Sequence, residues 1–152
     1  MTKQIIKKST SFILIFIFLF SCKKEEVPPP DPILGNWQLV SFSGEGETVV
    51  WDEFKTLAVS LIPEYECMSW TATITEELLT ENVTLIDENS NGCIPEKITV
   101  WAWERTKGTN EYTFNQGVIT YRIYNINVSG NQMTLTEQSA DGVVTVWSKI
   151  EE

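Results

Sequence analysis

The sequence predicts an all-β domain, an antiparallel meander that forms a barrel or a sandwich. Short runs of alternating apolar and polar residues recur from residue 35 to residue 150, and turn-forming residues separate them. Most of these gaps are too short for the crossover helices that parallel strands need. The length of 152 residues suits one such domain, and 42% apolar residues are enough to build its core.

The amino-terminal segment has the three zones of a secretory signal peptide. Three lysines precede an apolar run over residues 12–20, and the small Ser21 and then Cys22 follow. The run is too short to span a bilayer. A short anchor or a buried segment is the alternative, but the charged and proline-rich residues that follow cannot continue an apolar helix. We therefore expect residues 1–21 to be a cleaved signal peptide.

The sequence Leu-Phe-Ser-Cys at residues 19–22 resembles the lipobox of bacterial lipoproteins. The resemblance implies that Cys22 is lipidated on its thiol and becomes the first residue of the mature chain. Residues 22–32 then form a lipid-anchored, proline-rich tether that cannot build a core. The Lys-Lys-Glu-Glu run at residues 23–26 is similar to the export signal of Bacteroidetes-type lipoproteins, although a solvated charge run explains it equally well. We expect attachment to the bacterial outer membrane, with surface exposure left open.

Eight strands are predicted after the tether. They cover residues 35–43, 69–76, 82–88, 97–105, 111–116, 118–127, 132–138 and 143–150. Trp70 alternates with threonines, and Met133 and Leu135 alternate with polar residues, so these strands have one face in water. Tyr121 and Ile123 lie on a strand that is apolar on both faces. Both sides of that strand need cover or a ligand.

Residues 52–62 predict a short amphipathic helix instead of a strand. Asp52 suits the N-cap position, and Pro63 ends the run. A β-strand remains the alternative, because the same residues also suit a sheet. As a helix, the segment could cover one mouth of a barrel. The apolar residues at helical spacing are Phe54, Leu57, Ala58, Leu61 and Ile62.

Two cysteines remain after Cys22, namely Cys67 and Cys93. In a chain exported to an oxidising compartment, such a pair is expected to form a disulfide rather than a metal site or a reactive thiol. In the chain-entropy model this bridge would stabilise the fold by roughly 3 to 4 kcal/mol.

The sequence Ile-Leu-Gly-Asn-Trp-Gln-Leu-Val-Ser at residues 33–41 resembles the start of the lipocalin-like domains of Bacteroidetes lipoproteins. The matching core is Gly35-x-Trp37, and the likeness extends through both later cysteines to the last hairpin. It implies a roughly eight-stranded closed barrel over residues 33–152, in which Trp37 is structural and packs across the closed end. The insert at residues 44–68 departs from the pattern and leaves the mouth of the barrel undefined.

An eight-stranded barrel is either filled by its own side chains or holds one small ligand. The resemblance favours non-covalent binding of a small hydrophobic or amphipathic molecule. Trp101 and Trp103 share a strand face, with Arg105 in phase as a charged rim, although core packing is the simpler explanation for both rings. The residues assigned to the cavity are Trp70, Trp101, Trp103, Tyr121, Ile123, Met133 and Leu135.

The alternative function is a surface interaction module with a filled barrel, whose exposed aromatic patches meet a partner. The two functions differ in the volume that they require inside the barrel. A cavity above about 300 Å³ would support ligand binding, and a packed interior would support the interaction module.

Composition restricts the other functions. The net charge of −10 argues against a nucleic-acid partner, whose phosphates require clustered Lys and Arg. The sequence has no His, which removes histidine-dependent catalysis and the commonest zinc ligand. Nothing in the spacing of Glu64, Glu66, Glu76, Glu77 or Glu104 favours a glycosidase, so we expect no enzyme.

Residues 87–92 reproduce the first half of a calcium-binding loop. Ile98 stands where the loop requires a bidentate Glu, and the same residues suit a polar turn. We expect no metal and no other cofactor. The expected partners are the membrane, through the lipid, and a small ligand, and the expected oligomeric state is a monomer.

Overall fold

The computed structural model describes residues 28–87, 92–117, 120–139 and 141–151. The predicted signal peptide, Cys22 and the centre of the calcium-like loop lie outside the described residues. The chain divides into two compact units, Met1–Pro30 and Asp31–Glu152. In the first unit, the described residues are three exposed prolines.

Eight antiparallel strands close into a barrel in the second unit, which confirms the predicted fold class, and a ninth strand extends the sheet outside the barrel. Each barrel strand pairs with the next barrel strand along the chain, and the last pairs with the first. The elements in chain order are β1 (Gly35–Gly44), β2 (Glu47–Val50), α1 (Trp51–Leu61), a 3-10 helix (Pro63–Cys67), β3 (Ser69–Ile74), β4 (Leu78–Thr84), β5 (Ile86–Asp87), β6 (Gly92–Cys93), β7 (Lys97–Arg105), β8 (Glu111–Gln116), β9 (Thr120–Ser129), β10 (Gln132–Glu137) and β11 (Val144–Lys149).

Connections alternate between the two ends of the barrel because the meander is antiparallel. The end that carries the connections after β1, β4, β8 and β10 is called the mouth. The end that carries the turns after β3, β7 and β9 is called the base. The connections at the mouth contain β2, α1, the 3-10 helix and the β5–β6 hairpin, whereas those at the base are tight turns.

The interior of the barrel is built from alternate residues along each strand. In β1, Trp37 and Leu39 are buried while Gln38 between them is exposed. In β10, Met133 and Leu135 are buried on the same side. Burying each side chain of this size contributes roughly 1.5 to 3 kcal/mol relative to leaving it in water. Alternation along the strands therefore defines the core.

One predicted strand begins earlier in the sequence than expected. The strand predicted at residues 82–88 lies instead at Leu78–Thr84. Thr75 starts a tight turn in which its amide donates to the carbonyl of Leu78 at 2.8 Å and its hydroxyl accepts from the Leu78 amide at 3.2 Å. The turn brings β4 directly behind β3. The strand β2 and the β5–β6 hairpin were not predicted.

The predicted helix forms, as α1, but its first residues differ from the expectation. Val50 precedes the helix without a side-chain cap hydrogen bond, so the assignment of Asp52 as the N-cap is wrong. Asp52 and Glu53 lie instead in the first turn, where carboxylates complement the helix dipole. Within the described residues, no helix is long and apolar enough to cross a membrane.

The apolar stripe of α1 is largely exposed. Leu57 is 62% exposed and Leu61 is 74% exposed, whereas Ala58 and Trp51 are buried. Trp51 packs edge-on against Trp70 of β3, with ring centroids 6.0 Å apart. The helix is therefore held to the barrel through its first turn and through Ala58.

Cys67 and Cys93 form a disulfide with their Cα atoms 6.4 Å apart, which confirms the predicted bridge. The bond joins the end of the 3-10 helix to β6, so it links two connections at the mouth. Nearby, the ammonium group of Lys55 on α1 donates to the carbonyl of Met68 at 2.8 Å. These contacts hold the insert between β1 and β3 in place.

Candidate functional site

A cavity of about 220 Å³ lies inside the barrel. Its volume is below the roughly 300 Å³ expected for a ligand site, yet the interior is not filled. An apolar cavity of about 150 Å³ is enough to hold benzene, so this one has room for an aromatic ring with a short substituent. Its apolar lining includes Trp70, Leu79, Trp101, Phe114, Met133, Leu135 and Trp147.

One wall of the cavity is an aromatic cluster centred on Trp70. The Trp70 ring lies 6.2 Å from Phe42, 6.0 Å from Trp51 and 6.4 Å from Trp147. Its indole N–H donates to Glu81 Oε1 at 2.6 Å. Edge-on contacts and this hydrogen bond fix the orientation of the indole, so the wall is ordered before any ligand arrives.

Three charged side chains also line the cavity, namely Glu81, Arg122 and Glu137. Arg122 Nε lies 3.9 Å from Glu137 Oε1, and the guanidinium carbon lies 5.7 Å from the centre of the Trp101 ring. The side chain of Arg122 is 51% exposed and that of Glu137 is 18% exposed. Both come from the ends of β9 and β10 that meet at the mouth. The cavity therefore has a mostly apolar lining, with Arg122 and Glu137 at the mouth and Glu81 in the middle of β4 beside Trp70.

Tyr124 links the charged mouth to the aromatic wall. Its hydroxyl accepts a hydrogen bond from Arg122 Nη1 at 3.4 Å, and its ring packs edge-on against Phe114 at 5.5 Å. Burial raises the pKa of the Tyr124 phenol, although the hydrogen bond from Arg122 acts in the opposite direction. The same hydrogen bond raises the pKa of Arg122. A neutral phenol and a guanidinium cation therefore face the cavity at neutral pH.

The structure brings together four of the seven residues assigned to the cavity from sequence. Trp70, Trp101, Met133 and Leu135 all line it, from β3, β7 and β10. Each lies on the buried or partly buried face of its strand. Alternation within a single strand was enough to find them.

Trp103 lies nearer to the base. Its ring is 5.8 Å from Tyr112, and its indole donates to the Thr75 carbonyl at 2.9 Å in the turn after β3. Arg105, expected to form a charged rim beside the ligand, instead pairs with Asp31 at 3.2 Å. The predicted aromatic wall with a charged rim is therefore wrong beyond Trp101.

The structure does not place Tyr121 and Ile123, which the sequence assigned to the cavity, in its lining. Neither residue lines it, and Tyr121 is 67% exposed. Their neighbours Arg122 and Tyr124 face the interior instead, because consecutive residues of a strand point to opposite sides.

The second half of β9 indicates which face of the strand points into the barrel. Asn125 and Asn127 are exposed, whereas Ile126 between them is 3% exposed. Even-numbered residues of β9 therefore face inward. Extending that phase back along the strand puts Arg122 and Tyr124 in the cavity.

Trp37 lies near the base of the barrel and is fully buried. Its indole N–H donates to the carbonyl of Ile33 at 2.8 Å, and the ammonium group of Lys149 lies 5.6 Å from the centre of its ring. Ile33 is fully buried as well. The segment just before β1 therefore packs across the end of the barrel opposite to the charged mouth.

Asp31, which the sequence assigned to the tether, belongs to the barrel unit. Its carboxylate accepts hydrogen bonds from the Tyr112 hydroxyl at 2.8 Å and from the Ile33 amide at 3.2 Å, and it pairs with Arg105. Burial, together with the hydrogen bond to Asp31, raises the pKa of Tyr112 far above its usual range. This polar cluster ties the entering chain to β7 and β8.

The carboxylates considered for catalysis are exposed on the surface, namely Glu64, Glu66, Glu76, Glu77 and Glu104. Across the described ranges, no group of three His, Cys, Asp or Glu side chains is placed to hold a metal ion. Residues 88–91 of the calcium-like loop are outside those ranges.

No protein-family model matches the chain, and neither curated proteins nor solved structures give a match. Function therefore has to be inferred from the cavity and its lining.

Proposed function

We propose that the barrel binds one small amphipathic molecule non-covalently in its cavity. The observation that carries the proposal is a cavity of about 220 Å³ with a mostly apolar lining and three charged side chains. An apolar ring fits among Trp101, Met133 and Leu135. The polar end of the ligand then lies among the charged side chains of the lining, Glu81, Arg122 and Glu137.

The second part of the proposal is that the chain is a lipocalin-like lipoprotein of the bacterial outer membrane, anchored through lipid on Cys22. The lipobox-like sequence at residues 19–22 supports the anchor. An eight-stranded barrel that begins at Gly35-x-Trp37 supports the lipocalin-like assignment.

Native mass spectrometry of the full chain, purified gently from its own membrane, tests ligand binding. We expect a retained small molecule with the wild-type chain. The variant Leu135→Trp, which fills the cavity, should lose it. The control Leu57→Trp adds the same volume on the exposed face of α1 and should retain it. Loss of near-ultraviolet circular dichroism would identify a variant that has not folded.

A mass shared by both variants would place the bound molecule outside the cavity and overturn the proposal. Absence of any small molecule from the wild-type chain, followed by failure to bind small aromatic probes, would also overturn it.

The anchor has a separate test. The intact mass of the mature chain should show removal of residues 1–21 and addition of acyl groups at Cys22. The variant Cys22→Ser should lack the acyl mass and leave the membrane fraction. An unmodified Cys22 in the wild-type chain would contradict the assignment.

Exposed apolar residues favour a second candidate function, a protein interaction module. Leu57 and Leu61 on α1 are 62% and 74% exposed, and Phe54 beside them is 39% exposed. If this patch is the functional surface, native spectra will show a bound protein rather than a small molecule. Leu57→Lys should then remove that protein, and Leu135→Trp should not.

A further inference from the structure

We infer that the cavity selects cations, and that its ligand is a small amine or quaternary ammonium compound carrying one apolar group. This inference rests on the proposed function and specifies the ligand class of the same site. It follows from the charges of the lining, the aromatic surfaces around them and the way in which Arg122 is already engaged.

The lining carries two carboxylates, Glu81 and Glu137, against one guanidinium, Arg122. Its formal charge is therefore negative. Arg122 lies close to Glu137 and is also stabilised by the charge of Glu81, but no Lys or Arg of the described chain lies within ion-pair distance of Glu81. One oxygen of Glu81 accepts the indole N–H of Trp70. Because no cation of the described chain contacts this carboxylate, a cationic ligand can approach it.

The aromatic surfaces act in the same direction. The faces of indole and phenol rings carry negative potential and attract ammonium and guanidinium groups. Arg122 makes a contact of this kind at the mouth, where its guanidinium carbon lies 5.7 Å from the centre of the Trp101 ring. Trp70, Phe114 and Tyr124 add further aromatic lining. An ammonium group in this space would be attracted both by the rings and by Glu81.

An anionic ligand would depend on Arg122 alone. That guanidinium is already engaged by Glu137, Tyr124 and Trp101, and it is half exposed at the mouth. Any anion bound there would be screened by water and repelled by both carboxylates. The net charge of −10 on the chain also raises the local concentration of cations rather than anions.

Three probes of nearly equal size test the inference, namely 2-phenylethylammonium, 2-phenylethanol and phenylacetate. Titration of the full chain at pH 7 can be followed by tryptophan fluorescence, because Trp70, Trp101 and Trp147 line the cavity. We expect the cation to bind at least 10-fold more tightly than the anion, with the neutral alcohol between them.

Glu81→Gln tests which group provides the selectivity. The amide retains an oxygen that can accept the hydrogen bond from Trp70 but loses the charge. Glu81→Gln should therefore reduce the preference for the cation over the alcohol by about 5-fold to 10-fold. Glu104→Gln removes the same charge from an exposed residue of β7, so it should leave that preference within about 2-fold.

The outcomes separate this inference from the proposed function. If none of the three probes binds, both fail. If the three bind equally, or the anion binds most tightly, the cavity remains a ligand site and the inference of cation selectivity is wrong. If the two variants change the preference equally, the selectivity comes from the overall charge of the chain, and the assignment to Glu81 is overturned.

Discussion

Gly35 occupies a backbone conformation that other residues rarely adopt, with φ at +131°. A Cβ atom built there would lie 3.0 Å from Cε of Lys149, the side chain that lies over the Trp37 ring. The end of Lys149 is flexible and can move away at small cost. The requirement for glycine at the start of β1 therefore comes mainly from the backbone.

Gly35→Ala should lower the free energy of unfolding by about 2 to 3 kcal/mol, because the backbone must strain or shift and Lys149 must move from Trp37. Urea denaturation followed by tryptophan fluorescence measures the loss. Gly130→Ala is the matched control, with φ at +59° and open space around the added methyl group. It should cost only about 1 kcal/mol. An equal loss in both variants would show that the backbone conformation of Gly35 costs alanine no more than the left-handed conformation of Gly130, and that the contact with Lys149 adds nothing.

At Tyr112, a buried hydrogen bond affects how the stability of the protein depends on pH. It is 1% exposed and donates to Asp31, and its pKa is raised. The unfolded chain therefore releases the tyrosine proton near pH 10, while the folded chain still holds it. Stability attributable to this group is fully present below pH 10 and falls above it, by at most about 1.4 kcal/mol per pH unit.

Tyr112→Phe should remove that part of the alkaline loss of stability and should cost about 1 to 2 kcal/mol at pH 7 through the lost hydrogen bond to Asp31. Urea midpoints at several values of pH between 8 and 11 test both effects. The control Tyr121→Phe changes an exposed residue and should follow the wild-type curve. A curve for Tyr112→Phe that parallels the wild-type curve up to pH 11 would contradict the assignment.

At the scale of elements, some strands show in their sequence which face points into the barrel, whereas others carry apolar groups on both faces. Met133 and Leu135 alternate with polar residues along the whole of β10, so their inward orientation could be predicted. The first half of β9 carries Tyr121 and Ile123 on one side and Arg122 and Tyr124 on the other, so each face has large apolar groups and alternation does not show which one points inward. Only the second half of β9, where Ile126 lies between two asparagines, shows which face points inward.

The disulfide is the element-scale feature with the clearest consequence. It joins two cysteines separated by 26 positions in the sequence, one at the end of the 3-10 helix and one in β6. Cys67→Ser combined with Cys93→Ser should lower the free energy of unfolding by about 3 kcal/mol, because the unfolded chain regains the freedom of the loop that the bridge closes. Urea denaturation should give the same loss when the wild-type chain is reduced. A loss below about 1 kcal/mol in both cases would mean that other contacts already fix the insert at the mouth.

At the scale of the molecule, closure of the sheet distinguishes the eight barrel strands from β2. Pairing of β11 with β1 leaves the barrel without a free edge, whereas β2 pairs only with the second half of β1. A strand with one partner opens more readily than a strand held on both sides.

Hydrogen exchange should therefore separate β2 from the barrel. Amide protons of β10, which is paired on both sides, should exchange near the rate set by global unfolding, and those of Glu47–Val50 at least about 100-fold faster. Exchange measured by nuclear magnetic resonance at pH 7 tests this difference. Protection of β2 equal to that of β10 would show that the mouth insert and the barrel unfold as one unit.

The sequence by itself determined that the chain is all-β and located the barrel strands other than β4, because alternation and turn residues are local signals. The pair of cysteines that remains after Cys22 also predicted the Cys67–Cys93 bridge. The sequence also found Trp70, Trp101, Met133 and Leu135, whose strands carry their own phase. Only the tertiary structure decided the size of the cavity, the inward direction of Arg122 and Tyr124, and the place of Arg105 at the base. Those depend on which ends of antiparallel strands meet and on how side chains from six or more strands share one interior, and neither is encoded in a single segment.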